Sequence, residues 1–154
     1  MNTLVIYDSL YGNTEQLAVS MARVLTARGP SRSAHVNETP FTQLRDVDLL
    51  IFGCPTQQWN LTADMKIWLE RAPLDALRNP QVACFDTRFR IPLWIGRHAA
   101  PLLARALRRR GVTLLHPPEG FYVRERDRRL ETGEVERAMA WADALGDLAS
   151  PSIS

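Results

Sequence analysis

A chain of 154 residues, 45% hydrophobic and 23% charged, is one domain by the usual prior, long enough to bury about two-thirds of its unfolded surface; no disulfide or metal staple is required. The formal net charge is only +2 and the basic residues are dispersed, which argues against a nucleic-acid-binding footprint. No apolar run reaches the length of a membrane span, and no secretory signal precedes the first apolar run, so the expected location is the cytoplasm.

Leu4 to Tyr7 is continuously apolar, as a parallel strand covered on both faces should be. The run stops at Asp8, and the polar loop Ser9-Leu10-Tyr11-Gly12-Asn13 follows. An amphipathic segment then opens at Thr14, with Leu17, Met21, Val24 and Leu25 on one helical face. Strand, polar loop and helix in this order make a phosphate cradle. Backbone N–H groups and hydroxyls converge on an anion at a helix N-terminus, where the dipole favours negative charge. No Lys or Arg lies inside the loop, so dipoles would have to hold the phosphate. A Walker-type site, which needs a Gly-Lys-Ser/Thr ending, is excluded.

Gly29-Pro30 ends the helix. A weak second strand is expected over Ser33 to Asn37, and Phe41 to Arg45 is too short to assign. Val47 to Gly53 reads as the third strand, Cys54 to Asn60 as a loop, and the segment with Met65, Ile67, Trp68 and Leu69 as a helix. Val82 to Phe85 is the fourth strand. A long loop from Asp86 to about Arg97 leads to a helix carrying Leu102, Leu103, Ala106 and Leu107. The run Arg108-Arg109-Arg110 falls in the last turn of that helix, before Gly111, where cations complement the dipole. Val112 to Leu115 is expected as the fifth strand, with Pro117-Pro118 interrupting it and Gly120 to Val123 as its continuation. The last helix is expected from about Thr132 to Leu148, with Val135, Ala138, Met139, Ala142 and Leu145 inward. A single domain thus spans 1–149, and residues 150–154 are expected to be a disordered tail. Strands and helices alternating five times predict an open parallel α/β sheet with helices on both faces, which binds ligands outside the carboxyl ends of its strands.

Ser9-Leu10-Tyr11-Gly12-Asn13-Thr14 resembles the flavin mononucleotide (FMN) phosphate loop of the flavodoxin family, Thr/Ser-x-Thr-Gly-x-Thr, departing from it at Tyr11. The Tyr-Gly-Asn-Thr form is familiar from flavodoxin modules attached to other flavoenzymes. The resemblance implies a flavodoxin-like, doubly wound five-stranded parallel sheet with FMN at its carboxyl end. Ser9, Leu10, Tyr11, Gly12, Asn13 and Thr14 would hold the phosphate. The loop after the third strand, Pro55, Thr56, Gln57, Gln58, Trp59 and Asn60, and the stretch Asp86, Thr87 and Arg88 would hold the isoalloxazine ring. Trp59 is the candidate stacker, since an indole face suits a flat heteroaromatic ring. Asp86-Thr87-Arg88 departs from the family's Gly-rich acidic third loop and resembles a subgroup of flavodoxin-like bacterial proteins of unassigned role. Trp94 is read as a core residue in preference to a second stacker. Arg88, Arg90 and Arg97, in or beside this loop, would raise the reduction potential of a bound flavin.

The leading expectation is a non-covalent FMN protein that passes electrons to redox partner proteins, binding neither nucleic acid nor membrane; the sequence does not fix its oligomeric state. Two alternatives stand beside it. One is a flavin-dependent reductase or oxidase of a quinone or porphyrinogen-like substrate. The other is a binding module of the same fold that has lost FMN. Cys54 and Cys84 sit in or at the end of apolar runs and are read as small buried hydrophobes. His35, His98 and His116 lack metal-ligand spacing and are read as surface or loop residues; His98, near the proposed ring end, is the one worth watching. No Gly-x-Ser-x-Gly elbow supports a hydrolase.

Overall fold

The computed structural model describes residues 1–92 and 94–150. Five strands, β1 (Thr3–Tyr7), β2 (Ser31–His35), β3 (Leu49–Pro55), β4 (Gln81–Arg88) and β5 (Glu119–Tyr122), form one all-parallel sheet in the order β2-β1-β3-β4-β5. Four helices connect or follow them: α1 (Asn13–Leu25), α2 (Ala63–Arg71), α3 (Ala99–Arg109) and α4 (Glu134–Ala149).

The pleat explains the layers, because successive side chains point to opposite faces. Leu4, Ile6, Leu50, Phe52, Val82 and Cys84 face one way and pack with Met65, Trp68 and Leu69 of α2 and Leu103, Ala104 and Leu107 of α3. Val5, Tyr7, Leu49, Ile51, Ala83, Phe85 and Phe121 face the other way and pack with Leu17, Met21 and Leu25 of α1 and Ala138, Trp141 and Leu145 of α4. Each fully buried Leu, Ile or Phe contributes about 1.5–3 kcal/mol relative to exposure, so the two apolar layers hold the strand ends in fixed register. Both cysteines are buried, free thiols. Burial pushes the Cys54 thiol up to about 11 and the Cys84 thiol up to about 12, so neither is a ready nucleophile.

Several expectations need correction. The second strand lies two residues earlier than expected, at Ser31–His35, and Val36–Glu38 turns away as a 3-10 helix. Phe41–Leu44 is another 3-10 turn. Val112 to Leu115 is not the fifth strand. It pairs with β4 at a single isolated bridge, Val82–Leu114, with Leu115 N donating to Val82 O at 2.8 Å. Pro117 and Pro118 have no N–H to give to a ladder, and regular pairing resumes only at Glu119, opposite Phe85. β4 runs on through Arg88, where a loop was expected, because Asp86 and Thr87 are paired on both sides, with Cys54 and Pro55 of β3 and Gly120 and Phe121 of β5. α4 starts at Glu134 behind Gly133, which sits in the left-handed region at φ 88°. Met139, expected inward, is half-buried and lies outside the core. Of the tail, Ser150 caps α4, its hydroxyl donating to Gly146 O at 2.7 Å; 151–154 lie outside the described residues. Arg110 serves a neighbouring helix instead of its own, donating to Leu69 O and Ala72 O at the end of α2 at 2.7 and 2.6 Å. Among the described residues, no helix is long and apolar enough to cross a membrane.

Candidate functional site

The sheet order reverses between β1 and β3, and there the loops after both strands rise from the carboxyl edge. Leu10, Tyr11 and Asn13 from the first loop, Pro55, Thr56, Gln57 and Gln58 from the second, and Thr87, Arg88 and Phe89 from the end of β4 line one cavity of about 290 Å³. That volume is at the lower edge of the usual range for small-molecule pockets. Val123 and Arg128, from the segment after β5, complete the wall.

The first loop is a helix-capping turn. Gly12 caps α1 in a left-handed conformation, φ 87°. Ser9 Oγ accepts from Gly12 N at 3.1 Å and, at the limit, from Glu15 N at 3.5 Å, which fixes the turn. Asp8, almost fully buried, accepts from Ser9 N at 2.8 Å and lies 3.0 Å from His35 Nε2. Among the described residues, the N–H groups of Leu10, Tyr11, Asn13 and Thr14 have no hydrogen-bond acceptor. Four unspent donors on an exposed turn at a helix N-terminus fit a phosphate group. A side chain added at Gly12 would enter open space. The Thr14 hydroxyl is fully buried and meets Thr87 Oγ1 at 2.9 Å, tying the cradle to β4.

The second loop reverses tightly. Gln57 and Asn60 exchange two backbone hydrogen bonds of 2.9 Å, and both residues between them have positive φ, Gln58 at 47° and Trp59 at 64°. Neither residue suits that conformation, and such local strain tends to cluster at ligand clamps. Trp59 does not line the cavity. It is 42% exposed and packs on Gly96, where an added methyl group would collide with its ring. Asn60 stays in the turn, its Oδ1 accepting from Leu61 N at 2.8 Å. The Thr56 hydroxyl accepts from Ala99 N at 3.0 Å at the start of α3. The aromatic side chains that do line the cavity are Tyr11 and Phe89.

At the end of β4 the backbone is already hydrogen-bonded. Thr87 O accepts from Thr56 N at 2.9 Å and Arg88 O from Val123 N at 2.8 Å, so each carbonyl already has one partner. The Asp86 side chain is fully buried outside the cavity. It takes both Arg88 Nε and Nη2 at 2.7 Å and Ala100 N at 2.8 Å. Burial pushes the Asp86 carboxyl up, and the Arg88 guanidinium opposes that shift. Arg90 is bound to Glu131 at 2.8 Å and lies over the Tyr122 ring, and Arg97 is exposed. The expected row of free positive charge at the ring is therefore largely neutralised by Asp86 and Glu131.

One further expectation is overturned. Trp94 is 84% exposed and not a core residue. His98, read as a surface or loop residue, lies in the loop ahead of α3 but is buried, with Nδ1 unpartnered, and burial together with Arg88 holds its imidazole below the ordinary value. Among the described residues no cluster of His, Cys, Asp and Glu is arranged to hold a metal.

The feature that sequence reasoning missed is the segment after β5. Val123 bridges Leu130, and Arg124 N donates to Arg129 O at 2.8 Å, forming a small hairpin. Its tip returns to the cradle, where Asn13 Nδ2 donates to Arg128 O at 2.7 Å. The Arg128 guanidinium lies 4.5 Å from the Tyr11 ring centroid and donates to the Tyr11 hydroxyl. Arg128 and Asn13 are 115 residues apart, and no local motif announces the contact.

The sequence model of the flavodoxin family matches residues 5–87, more than half of the chain. No curated protein matches the sequence. Among solved structures, the chain is similar to a flavodoxin from the domain Archaea at 16% identity and a TM-score of 0.79, covering 97% of this chain and 99% of that one. It is similar to oxidised flavodoxin 1 from Bacillus cereus at 18% identity and 0.74, covering 96% and 98%. Rubredoxin oxygen:oxidoreductase from Desulfovibrio gigas shares the fold at 16% identity and 0.76, with 96% of this chain covering 36% of that longer one. Identities this low establish the architecture alone.

Proposed function

The chain belongs to the flavodoxin family, and from that membership we propose that it binds FMN non-covalently and works as an electron-transfer protein. The observation that carries the reading is the convergence of three loop ends on one cavity, one of them a helix-capping turn with four unspent N–H donors. The position of the cavity follows the switch-point rule for open α/β sheets, whose known cases include the flavodoxin sheet.

In this reading the N–H groups of Leu10, Tyr11, Asn13 and Thr14 hold the phosphate, and Gln57, Gln58, Tyr11 and Phe89 surround the ring. FMN when bound supplies the redox chemistry, exchanging one or two electrons through its isoalloxazine ring; the chain supplies binding, orientation and electrostatics. The cytoplasm remains the proposed location, and partner proteins the proposed source and sink of electrons.

Titrating flavin-free protein into FMN tests the binding. Quenching of flavin fluorescence that saturates at one equivalent supports the reading, and unquenched fluorescence at micromolar protein rejects it. The carrier role is tested separately. Fast reduction of the loaded protein by a partner reductase, without steady-state turnover of NAD(P)H and quinone, supports a carrier, and turnover supports an enzyme.

A further inference from the structure

We propose that Arg128 is a phosphate ligand of the flavin site, a cation delivered from the segment after β5 to a cradle that has none of its own. The inference rests on the FMN reading and adds to it a residue that decides between phosphorylated and unphosphorylated flavin.

The charge balance motivates it. A helix N-terminus offers the equivalent of about half a positive charge. A phosphomonoester brings roughly 1.5 to 2 negative charges at neutral pH. The cradle from Ser9 to Thr14 contains no Lys or Arg, and Asp8 and Glu15 flank it. Dipoles alone leave most of that negative charge uncompensated.

Three nearby arginines are engaged, and Arg129, which like Arg128 has no carboxylate partner among the described residues, lines only a neighbouring cavity and not the 290 Å³ one. Arg88 is paired with Asp86, Arg90 with Glu131 and Arg124 with Asp127, each at 2.7–2.8 Å. Among the described residues, Arg128 has no carboxylate within salt-bridge distance. Its guanidinium rests instead on Tyr11, the residue at the centre of the cradle.

The backbone beneath it is held in place. Arg128 adopts a left-handed φ of 56°, its N–H donates to Arg124 O at 2.9 Å, and its carbonyl accepts from Asn13, the first residue of α1. The hairpin and the cradle are thus tied to each other at the point where the anion would sit. Arg128 lines both the 290 Å³ cavity and the neighbouring cavity of about 850 Å³ beside Gly12 and Asn13. From there a planar guanidinium, with several N–H donors in a fixed fork, reaches a phosphate bidentately by turning off the Tyr11 hydroxyl. Arg128 adds charge and specificity, and the N–H groups add shape.

The test compares FMN with riboflavin, which lacks the phosphate, by fluorescence titration at low and high salt. In the wild type, FMN affinity falls as salt rises and riboflavin affinity does not. In Arg128→Gln, the Kd for FMN rises about tenfold or more at low salt, as expected for a lost charge-assisted hydrogen bond. Its salt dependence flattens, and riboflavin binding stays within about twofold of the wild type. Arg128→Lys keeps the salt dependence and recovers part of the affinity, and circular dichroism of all variants checks that the hairpin change has not unfolded the chain. Equal or tighter FMN binding by Arg128→Gln overturns the proposal, as does an equal loss for FMN and riboflavin. Failure of the wild type to bind FMN rejects the FMN reading itself, a result distinct from either of these.

Discussion

Gly12 shows most simply how one residue serves both fold and site. Its φ of 87° is open to glycine and costs other residues roughly 1–2 kcal/mol. A methyl at this position meets nothing within 4 Å, so the penalty of Gly12→Ala is conformational and not a clash. Gly12→Ala should lower stability by about that amount in urea unfolding and weaken FMN binding by more than stability alone explains, because the freed N–H groups lose their aim. The same scale separates two aromatic residues that the sequence ranks the other way. Trp59 looks like the stacker because it sits in the loop after the third strand, yet its ring covers Gly96, while Phe89 faces the cavity. Phe89→Ala should therefore weaken FMN binding by about 1 kcal/mol or more, roughly fivefold in Kd. Trp59→Ala should change it less. A titration showing the reverse order would restore Trp59 to the ring.

Elements were legible where the signal was contiguous. The run Leu4 to Tyr7, the turn and the amphipathic face of α1 follow one another within twenty-five residues, and the structure reproduces them within a residue or two. Val112 to Leu115 has the composition of a fifth strand, but pairing is decided by two prolines farther on and by where β4 ends. The long β4 was hidden for a related reason. Asp86 looks like the end of a strand, and only the Arg88 guanidinium and Ala100 N–H make its burial tolerable. The joint between β5 and α4 depends on a similar arrangement. Glu134 accepts from Tyr122 N and Arg137 at 2.8 Å each. Burial works against its ionisation, but Arg137 and the Tyr122 N–H outweigh that and hold the carboxyl below its ordinary value of 4.5. A carboxylate depressed in the folded state adds stability that is present above 4.5 and lost as pH falls through the lower folded value. Urea midpoints of Glu134→Gln should accordingly fall less steeply than those of the wild type on acidification below about pH 4.5. Parallel acid limbs for the two proteins would show that the ion pair does not contribute.

For the molecule as a whole, parallel sheet, helices on both faces and ligand edge follow from period and order, although β2 and β3 are joined by 3-10 turns where a helix was expected in the alternation. What the sequence hid is the long-range return of the hairpin after β5, which brings Arg128 and Val123 to a site otherwise made by the first two-thirds of the chain. We propose that the loops after β1, β3 and β4 hold one FMN. Amide NMR spectra recorded while FMN is added address it most directly. The prediction is saturable shifts at one equivalent, concentrated at residues 9–14, 56–58 and 87–89 and extending to Val123 and Arg128. Unchanged spectra, or shifts confined to other surfaces of the molecule, would contradict it.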